Sequence, residues 1–368
     1  MAEKIKAIAL LSGGLDSTLA IRVVQEQVVE VEALNFVNAF GAEQAAVRGE
    51  APVAAASPAG TAGARSDATD APEGRLRGGP QAVRAAQSLG VKLHVVDNTA
   101  PIIEMLKAPR HGFGSNVNPC IDCRIWTLQC AAGLMREAGA RFIVTGEVLG
   151  QRPMSQRREA MRLIDKQAGL TGLVVRPLSA GLLDPTIPEQ EGWLDRSKLP
   201  AISGRSRKQQ MELARHYGIT DYPTPAGGCL LTDPQFAHRI RDLMAHGELR
   251  LDDVELLKFG RHFRLGPDVK AAMGRDQADN EALLGLAREG DAALEMLDKP
   301  GPAAIVRGCL TDEAIRTAAS IVAAYSKARL DPLARLSVAR GAALKEVIQV
   351  APAPPELIQS LLINIKGR

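Results

Sequence analysis

Ser12-Gly13-Gly14-Leu15-Asp16-Ser17 follows the apolar run Ile5-Lys6-Ala7-Ile8-Ala9-Leu10-Leu11 and leads into Thr18-Leu19-Ala20-Ile21-Arg22-Val23-Val24-Gln25. The order is strand, tight glycine turn, helix. Two glycines let the backbone turn sharply and approach a ligand closely, while the open amides and dipole of the first helical turn favour an anion. A phosphate is the natural occupant. A lone glycine pair would ordinarily mean only a strand-to-helix turn with Ser12 as a cap. No Gly-Lys-Ser/Thr follows a glycine loop anywhere in the chain, so a Walker-type loop is excluded.

Working outward, Val28 to Val37 reads as a second strand. From about Gly41 to Gly79 the composition shifts to Ala, Gly, Pro and Ser, with almost no large apolar residue. Such a stretch cannot offset its ordering entropy, which predicts a disordered insertion over 41–79. Its arginines, Arg48, Arg65, Arg75 and Arg77, offer a second reading as an RNA-contacting arm. A helix over Pro80 to Gly90, a strand over Val91 to Val96, a helix over Arg124 to Gly139 and a strand over Arg141 to Gly146 follow. Ile125, Leu128, Ala132 and Met135 fall on one helical face. Alternating strands and helices predict an α/β fold with a doubly wound parallel sheet. His94, on the third strand, is a modest catalytic candidate.

Beyond the strand ending at Gly146 lies Thr145-Gly146-Glu147-Val148-Leu149-Gly150-Gln151-Arg152-Pro153-Met154-Ser155-Gln156, outside a carboxyl end, where open sheets bind ligands. Together with Ser12 to Ser17, it resembles the ATP pyrophosphatase (PP-loop) superfamily of the adenine nucleotide alpha hydrolase-like fold. The later run is similar to the TGExLGQxxSQ segment of enzymes that make 4-thiouridine in tRNA, and Val175-Arg176-Pro177-Leu178 is similar to the strand after it. The resemblance implies that Ser12, Gly13, Gly14, Asp16 and Ser17 hold ATP with Mg2+ on its phosphates. It places Gly146 and Gln151 beside the adenylated intermediate.

Asn118-Pro119-Cys120-Ile121-Asp122-Cys123 precedes the helix at Arg124, so both sulfurs lie near a helix N-terminus, where the dipole and Arg124 favour thiolate. Cys229 arrives in the loop Tyr222-Pro223-Thr224-Pro225-Ala226-Gly227-Gly228-Cys229. The three cysteines are expected to converge beside the nucleotide. A structural zinc site wants four ligands and only one cysteine pair is visible. A three-thiolate iron-sulfur site and a metal-free persulfide relay both fit the pattern. NPCxxC resembles the tRNA 2-thiouridylase family, which implies thiolation chemistry at Cys120 and Cys229. Related enzymes imply a [4Fe-4S] cluster on Cys120, Cys123 and Cys229. PAGGCLLTD stands where a cysteine-tyrosine-arginine motif would be expected. Cys130 and Cys309 read as small core residues.

Arg205, Arg207 and Lys208 open a helix running to His216 and are candidates for RNA phosphates. A boundary is expected near residue 245, giving a catalytic domain over 1–245. Val254 to Leu265 and Val269 to Gly274 read as strands, followed by a helix from Arg275, two strands about Pro300-Gly301-Pro302 and a helix over Glu313 to Lys327. This predicts a small α+β domain over 250–335, with 336–368 as a C-terminal extension. GRDQADN, DKPGPAAIVRG and AASIVAAYSKAR resemble the RNA-binding NFACT-R domain, which implies phosphate contacts from Arg261, His262, Arg264, Lys270 and Arg275. Leu294 and Met296 stand where that domain usually carries aromatic residues.

The chain of 368 residues is 46% hydrophobic with a net charge of +3, which neither announces nor excludes a nucleic-acid partner. No apolar run approaches the about 20 residues of a membrane span, and five cysteines without a secretion signal argue against a disulfide framework. The expectation is a cytoplasmic protein with no membrane partner. Taken together, the resemblances imply an ATP-dependent tRNA sulfurtransferase forming AMP and pyrophosphate, with tRNA and a cysteine desulfurase or sulfide as partners. Two other readings are a PP-loop amide-forming ligase for a small molecule and a non-catalytic RNA-binding protein.

Overall fold

In β1 (Lys6–Leu10), Ala7 and Ala9 face one side of a sheet and Ile8 and Leu10 the other, and all four are buried. A strand apolar on both faces belongs inside a parallel sheet covered by helices. The computed structural model describes residues 4–41, 66–67, 79–223, 228–247, 249–341 and 345–363, in two units, Met1–Cys229 and Leu230–Arg368.

In the first unit β1 is followed by α1 (Leu15–Gln25), β2 (Glu30–Val37), β3 (Ser66–Asp67), α2 (Pro80–Leu89), β4 (Lys92–Asp97), α3 (Thr99–Lys107), α4 (Cys120–Glu137), β5 (Phe142–Thr145), α5 (Arg158–Gln167), β6 (Val174–Val175), α6 (Ile187–Gln190) and α7 (Lys208–His216). The sheet order is β3-β4-β2-β1-β5-β6, parallel except for β3 against β4. Leu15 and Leu19 of α1, Val83 of α2 and Ala214 of α7 share one core with Ala7 and Ala9. Leu128 and Ala132 of α4 and Ile164 of α5 share the other with Ile8 and Leu10. The fold is the expected doubly wound α/β sheet. Most of 41–79, with its four arginines, lies outside the described residues; Ser66 and Asp67 pair with Val95 and His94.

The second unit contains α8 (Pro234–Ala245), α9 (Leu251–Leu256), β7 (Arg261–Gly266), β8 (Val269–Met273), α10 (Gln277–Gly285), β9 (Ala292–Met296), β10 (Ala304–Gly308), α11 (Asp312–Ala324), β11 (Ala334–Arg340), β12 (Glu346–Val350) and α12 (Pro355–Leu361). Its antiparallel sheet runs β12-β11-β9-β10-β8-β7. Ala271, Met273 and Val306 pack with Ile315 and Ala318 of α11, while Ala272 and Ile305 pack on the opposite face with Leu256 and Leu283.

Three expectations change here. Residues 254–260 are helix and turn, not strand, because Val254 and Leu256 are buried from α9 and the strand begins only at Arg261. The division falls at Cys229/Leu230 instead of near 245, since α8 is bound into the second unit. Arg239 donates to the carbonyls of Leu257 (2.6 Å) and Gly260 (2.9 Å), and Asp242 pairs with Arg264. Finally, residues 336–368 supply most of β11, with β12 and α12, and so build the sheet expected to end before them.

Candidate active site at the carboxyl edge of the parallel sheet

The glycine turn is held by its own side chains. Ser17 Oγ donates to the Gly14 carbonyl (2.9 Å) and accepts from Ser12 N–H (3.3 Å), while Ser12 Oγ accepts from Gly14 N–H (3.3 Å). Thr18 Oγ1 also donates to the Gly14 carbonyl, at 3.1 Å. These bonds fix the loop and leave the first amides of α1 for a ligand. Gly13 has φ +80, and a Cβ there would lie 2.5 Å from the backbone of Gln81 and Ala82. Glycine therefore lets the start of α2 close on the same turn.

Gly146 is required for a parallel reason. A Cβ on it would lie 2.5 Å from Ser17 N and 2.7 Å from Asp16 C, so the segment after β5 rests directly on the first turn of α1. Five residues later Gln151 Nε2 donates to Asp16 Oδ2 at 3.0 Å. The other oxygen, Asp16 Oδ1, is buried without a hydrogen-bond partner among the described residues. A carboxylate with one committed and one open oxygen suits a divalent cation. Ser12, Gly13, Gly14, Asp16, Ser17, Gly146 and Gln151, far apart in sequence, thus meet in one place.

Beneath this loop is a buried charge frame that the sequence reading missed. Glu147 pairs with Arg124 of α4 (3.0 Å) and with Arg176 after β6 (3.0 Å), and accepts from Thr145 Oγ1 at 3.2 Å. Arg176 also forks onto Asp165 of α5 through two 2.8 Å bonds. Burial works to raise the Glu147 pKa, but the two guanidiniums hold it below the ordinary carboxylate range; burial likewise opposes the Arg176 charge, and its carboxylate partners push its pKa up. Charged residues inside a run otherwise resembling a nucleotide loop were the available signal.

Cys120 opens α4, and a Cβ on Gly114 would lie 3.4 Å from both Cys120 Sγ and Met154 Cγ, so this thiol sits beside the loop that carries Gln151. Asp122 anchors the approach by accepting from His111 N–H (3.1 Å) and bonding His111 Nδ1 (2.6 Å). The thiolate expectation is not met. Burial raises the Cys120 pKa against the pull of Arg152 and Arg124, and burial raises that of Cys123 against Arg124. Desolvation outweighs the helix terminus.

The three cysteines do not assemble into a metal site. Among the described residues no group of three or more His, Cys, Asp or Glu side chains could hold a metal ion. Cys229 is bridged to Gly41 just past β2, whereas Cys120 lies by the loop after β5, on the other side of β1. The residues as arranged do not fit the expected three-thiolate cluster. Cys130 packs at the edge of the core, but Cys309, expected inside, is exposed just after β10. His94 is buried and bonded to Glu32 at 2.7 Å.

In the second unit the five expected phosphate contacts divide. His262 and Lys270 are each 1% exposed, and Arg264 and Arg275 are paired with Asp242 and Asp279. Burial, with the charges of Arg239 and Lys270, drives the His262 pKa well below its ordinary value. Arg261 lies 4.8 Å from the ring centre of Tyr325.

The class so defined is a doubly wound α/β unit with a glycine turn between β1 and α1, joined to a second, antiparallel α+β unit. Residues 260–362 match the family model described as the NFACT protein RNA binding domain. No curated protein matches the chain. Among solved structures it is similar to the C-terminal part of the fibronectin/fibrinogen-binding protein from Streptococcus suis, at 14% identity over 47% of this chain and 78% of that one, TM-score 0.26. It is also similar to a 4-thiouridine synthetase in complex with RNA and bound ATP, at 19% identity and TM-score 0.34, over 69% of this chain and 52% of that one. NMN synthetase from Francisella tularensis is matched at 14% identity over 61% of this chain and 91% of that chain, TM-score 0.25. No helix among the described residues is long and apolar enough to cross a membrane.

Proposed function

We propose that the protein is an ATP-dependent RNA-modifying enzyme that adenylates a tRNA base carbonyl and replaces its oxygen with sulfur. The observation that carries this is the meeting of Asp16 and Ser17 with Gly146 and Gln151 beside the loop that reaches Cys120. The glycine turn and the amides of α1 hold the triphosphate of ATP, and Asp16 Oδ1 takes Mg2+, which neutralises the phosphate charge. The base oxygen attacks the α-phosphorus and pyrophosphate leaves. Gln151 holds Asp16 in place through its other oxygen. The terminal sulfur of a persulfide on Cys120, loaded from the persulfide of a cysteine desulfurase, attacks the activated carbon and AMP departs with the original oxygen; a thiol reductant then attacks the Cys120 sulfur, forming a disulfide with it and leaving the transferred sulfur on the base as a thiocarbonyl. Where sulfide is the donor, it attacks the activated carbon directly. The match over 260–362 supports RNA as the acceptor.

The test incubates full-length protein with ATP, Mg2+, a sulfur source and bulk tRNA. RNA-stimulated pyrophosphate release and nucleosides heavier by one oxygen-to-sulfur exchange are expected. Pyrophosphate release indifferent to RNA but stimulated by a small amide or carboxylate with ammonia would overturn the proposal.

A further inference from the structure

Two loops of the first unit are tied together at the rim of the nucleotide site. Leu149 bridges to Ser203, and Gly204 N–H donates to the Leu149 carbonyl at 2.7 Å. The first loop is closed on itself, since Gly150 N–H donates to the Gln156 carbonyl (2.7 Å) and Arg152 N–H to Gln156 Oε1 (3.1 Å). From these two loops project Arg152, Arg157, Arg205, Arg207 and Lys208, four exposed and Arg207 half-exposed. Among the described residues none of the five has a carboxylate partner, whereas Arg158 and Arg162 nearby share Asp184 and Arg196 is held by Glu189. Arginines whose only role is solvation are dispersed among acids; five unneutralised cations on two linked loops make a surface for a polyanion.

A second observation adjoins the first. Phe113 and Met154 are exposed apolar side chains, 38% and 41%. Phe113 directly precedes Gly114, which lies against Met154 and Cys120 Sγ. Cations along a track beside exposed flat or polarizable side chains are how single-stranded nucleic acid is held, phosphates on the former and bases on the latter. An acidic protein would use the cations and leave Phe113 idle.

The geometry points to an RNA-docking surface on the catalytic unit itself, in which the loops at 152–157 and 205–208 hold the backbone while Phe113 and Met154 receive a base over Cys120. This rests on the proposed function, in which the acceptor is RNA. It adds that the first unit grips the modified strand locally, independently of the 260–362 region.

The test uses the full chain carrying Arg205→Ser, Arg207→Ser and Lys208→Ser together, and separately Arg152→Ser with Arg157→Ser, with tRNA affinity measured across a salt series. Removing each cation that neutralises a phosphate should flatten the slope of log affinity against log salt by about 0.7 to 0.9. The triple variant should therefore lose about 2.1 to 2.7 units of slope and the double variant about 1.4 to 1.8, with ATP affinity unchanged as the sign of an intact fold. A Phe113→Trp variant should show fluorescence quenched on adding tRNA. Wild-type affinity and slope in both variants, or no quenching at Trp in place of Phe113, would overturn the docking surface while leaving RNA as acceptor. No tRNA binding by the wild type, or an acidic polypeptide binding through the same cations in preference to tRNA, would overturn the RNA reading as well.

Discussion

Gly146→Ala tests whether the glycine turn before α1 and the segment after β5 act as one rigid site. The added methyl would lie 2.5 Å from Ser17 N, 2.6 Å from Ser17 Cα and 2.7 Å from Asp16 C, about 1 Å inside ordinary contact, and all three neighbours are backbone. No side chain can rotate to relieve the overlap, so the segment must back away from α1 by roughly that distance. Overpacking of this kind costs about 1–3 kcal/mol, which lowers the melting temperature by a few degrees without unfolding the chain. The chemical loss should be larger: a 1 Å misplacement of positioning groups costs about 10²-fold in rate, and the 3.0 Å bond from Gln151 to Asp16 is carried on the displaced segment. Expected, then, is a folded protein whose pyrophosphate release falls on the order of 10²-fold. Gly285→Ala is the control, since that position at the end of α10 has open space for a Cβ. Wild-type pyrophosphate release by Gly146→Ala would refute the close packing of the two loops as a requirement for turnover.

Asp16→Ala should abolish Mg2+-dependent pyrophosphate release while costing only about 1 kcal/mol of stability, because Oδ1 accepts no hydrogen bond from the described residues and only the Gln151 bond to Oδ2 is lost; retained release would remove Asp16 from the site. Glu147→Gln leaves Arg124 and Arg176 facing an uncharged group in a buried site and should cost about 3 kcal/mol in urea unfolding. A loss under 1 kcal/mol would show that Asp165 alone satisfies Arg176. His262, held neutral when folded, takes up its proton first in the unfolded chain, so its contribution is complete above pH about 6.5 and falls by about 1.4 kcal/mol per pH unit below it until its folded pKa is reached. His262→Gln should flatten that acid limb, and an unchanged limb would exclude His262 as its source. Alkylation of Cys120 by iodoacetamide should have its midpoint above the ordinary cysteine value of about 8.5, and a midpoint near 7 would mean that Arg152 and Arg124 outweigh burial.

The parallel sheet was legible because both faces of β1 are apolar and the glycine turn marks where its carboxyl end opens. Ser12 to Ser17 could be placed from local pattern alone, since the loop is closed by bonds between near neighbours such as Ser17 and Gly14. Gly146 and Gln151 needed a resemblance, as nothing in their spacing states that they contact Asp16. Errors arose where a long-range environment overrode a local rule. The start of α4 ought to favour thiolates, yet burial of Cys120 and Cys123 decides the direction. His262 and Lys270 carry the charge type of a phosphate surface but alternate onto the covered face of their sheet. Cys229 follows a stretch rich in proline and glycine whose sequence sets no single path, and its bridge to Gly41 was not legible from the sequence.

The charge frame explains why two sequence motifs without contact in the chain must act together. Arg124 follows Cys123 directly, Glu147 follows Gly146 directly, and their 3.0 Å pair links the start of α4 to the segment resting on Ser17. Arg176 binds the same carboxylate from the next strand and Asp165 from α5, so four elements share one buried network. Such a network adds little net stability compared with an apolar core of equal volume, because desolvation offsets most of the attraction. What it does supply is direction: an arginine fork meeting a carboxylate admits few orientations, whereas leucines of the same volume would tolerate sliding. In the proposed reaction an adenylated base would be open to water until sulfur arrived, and holding the thiol of Cys120 at a fixed offset from the α-phosphorus is the requirement that such a frame would meet.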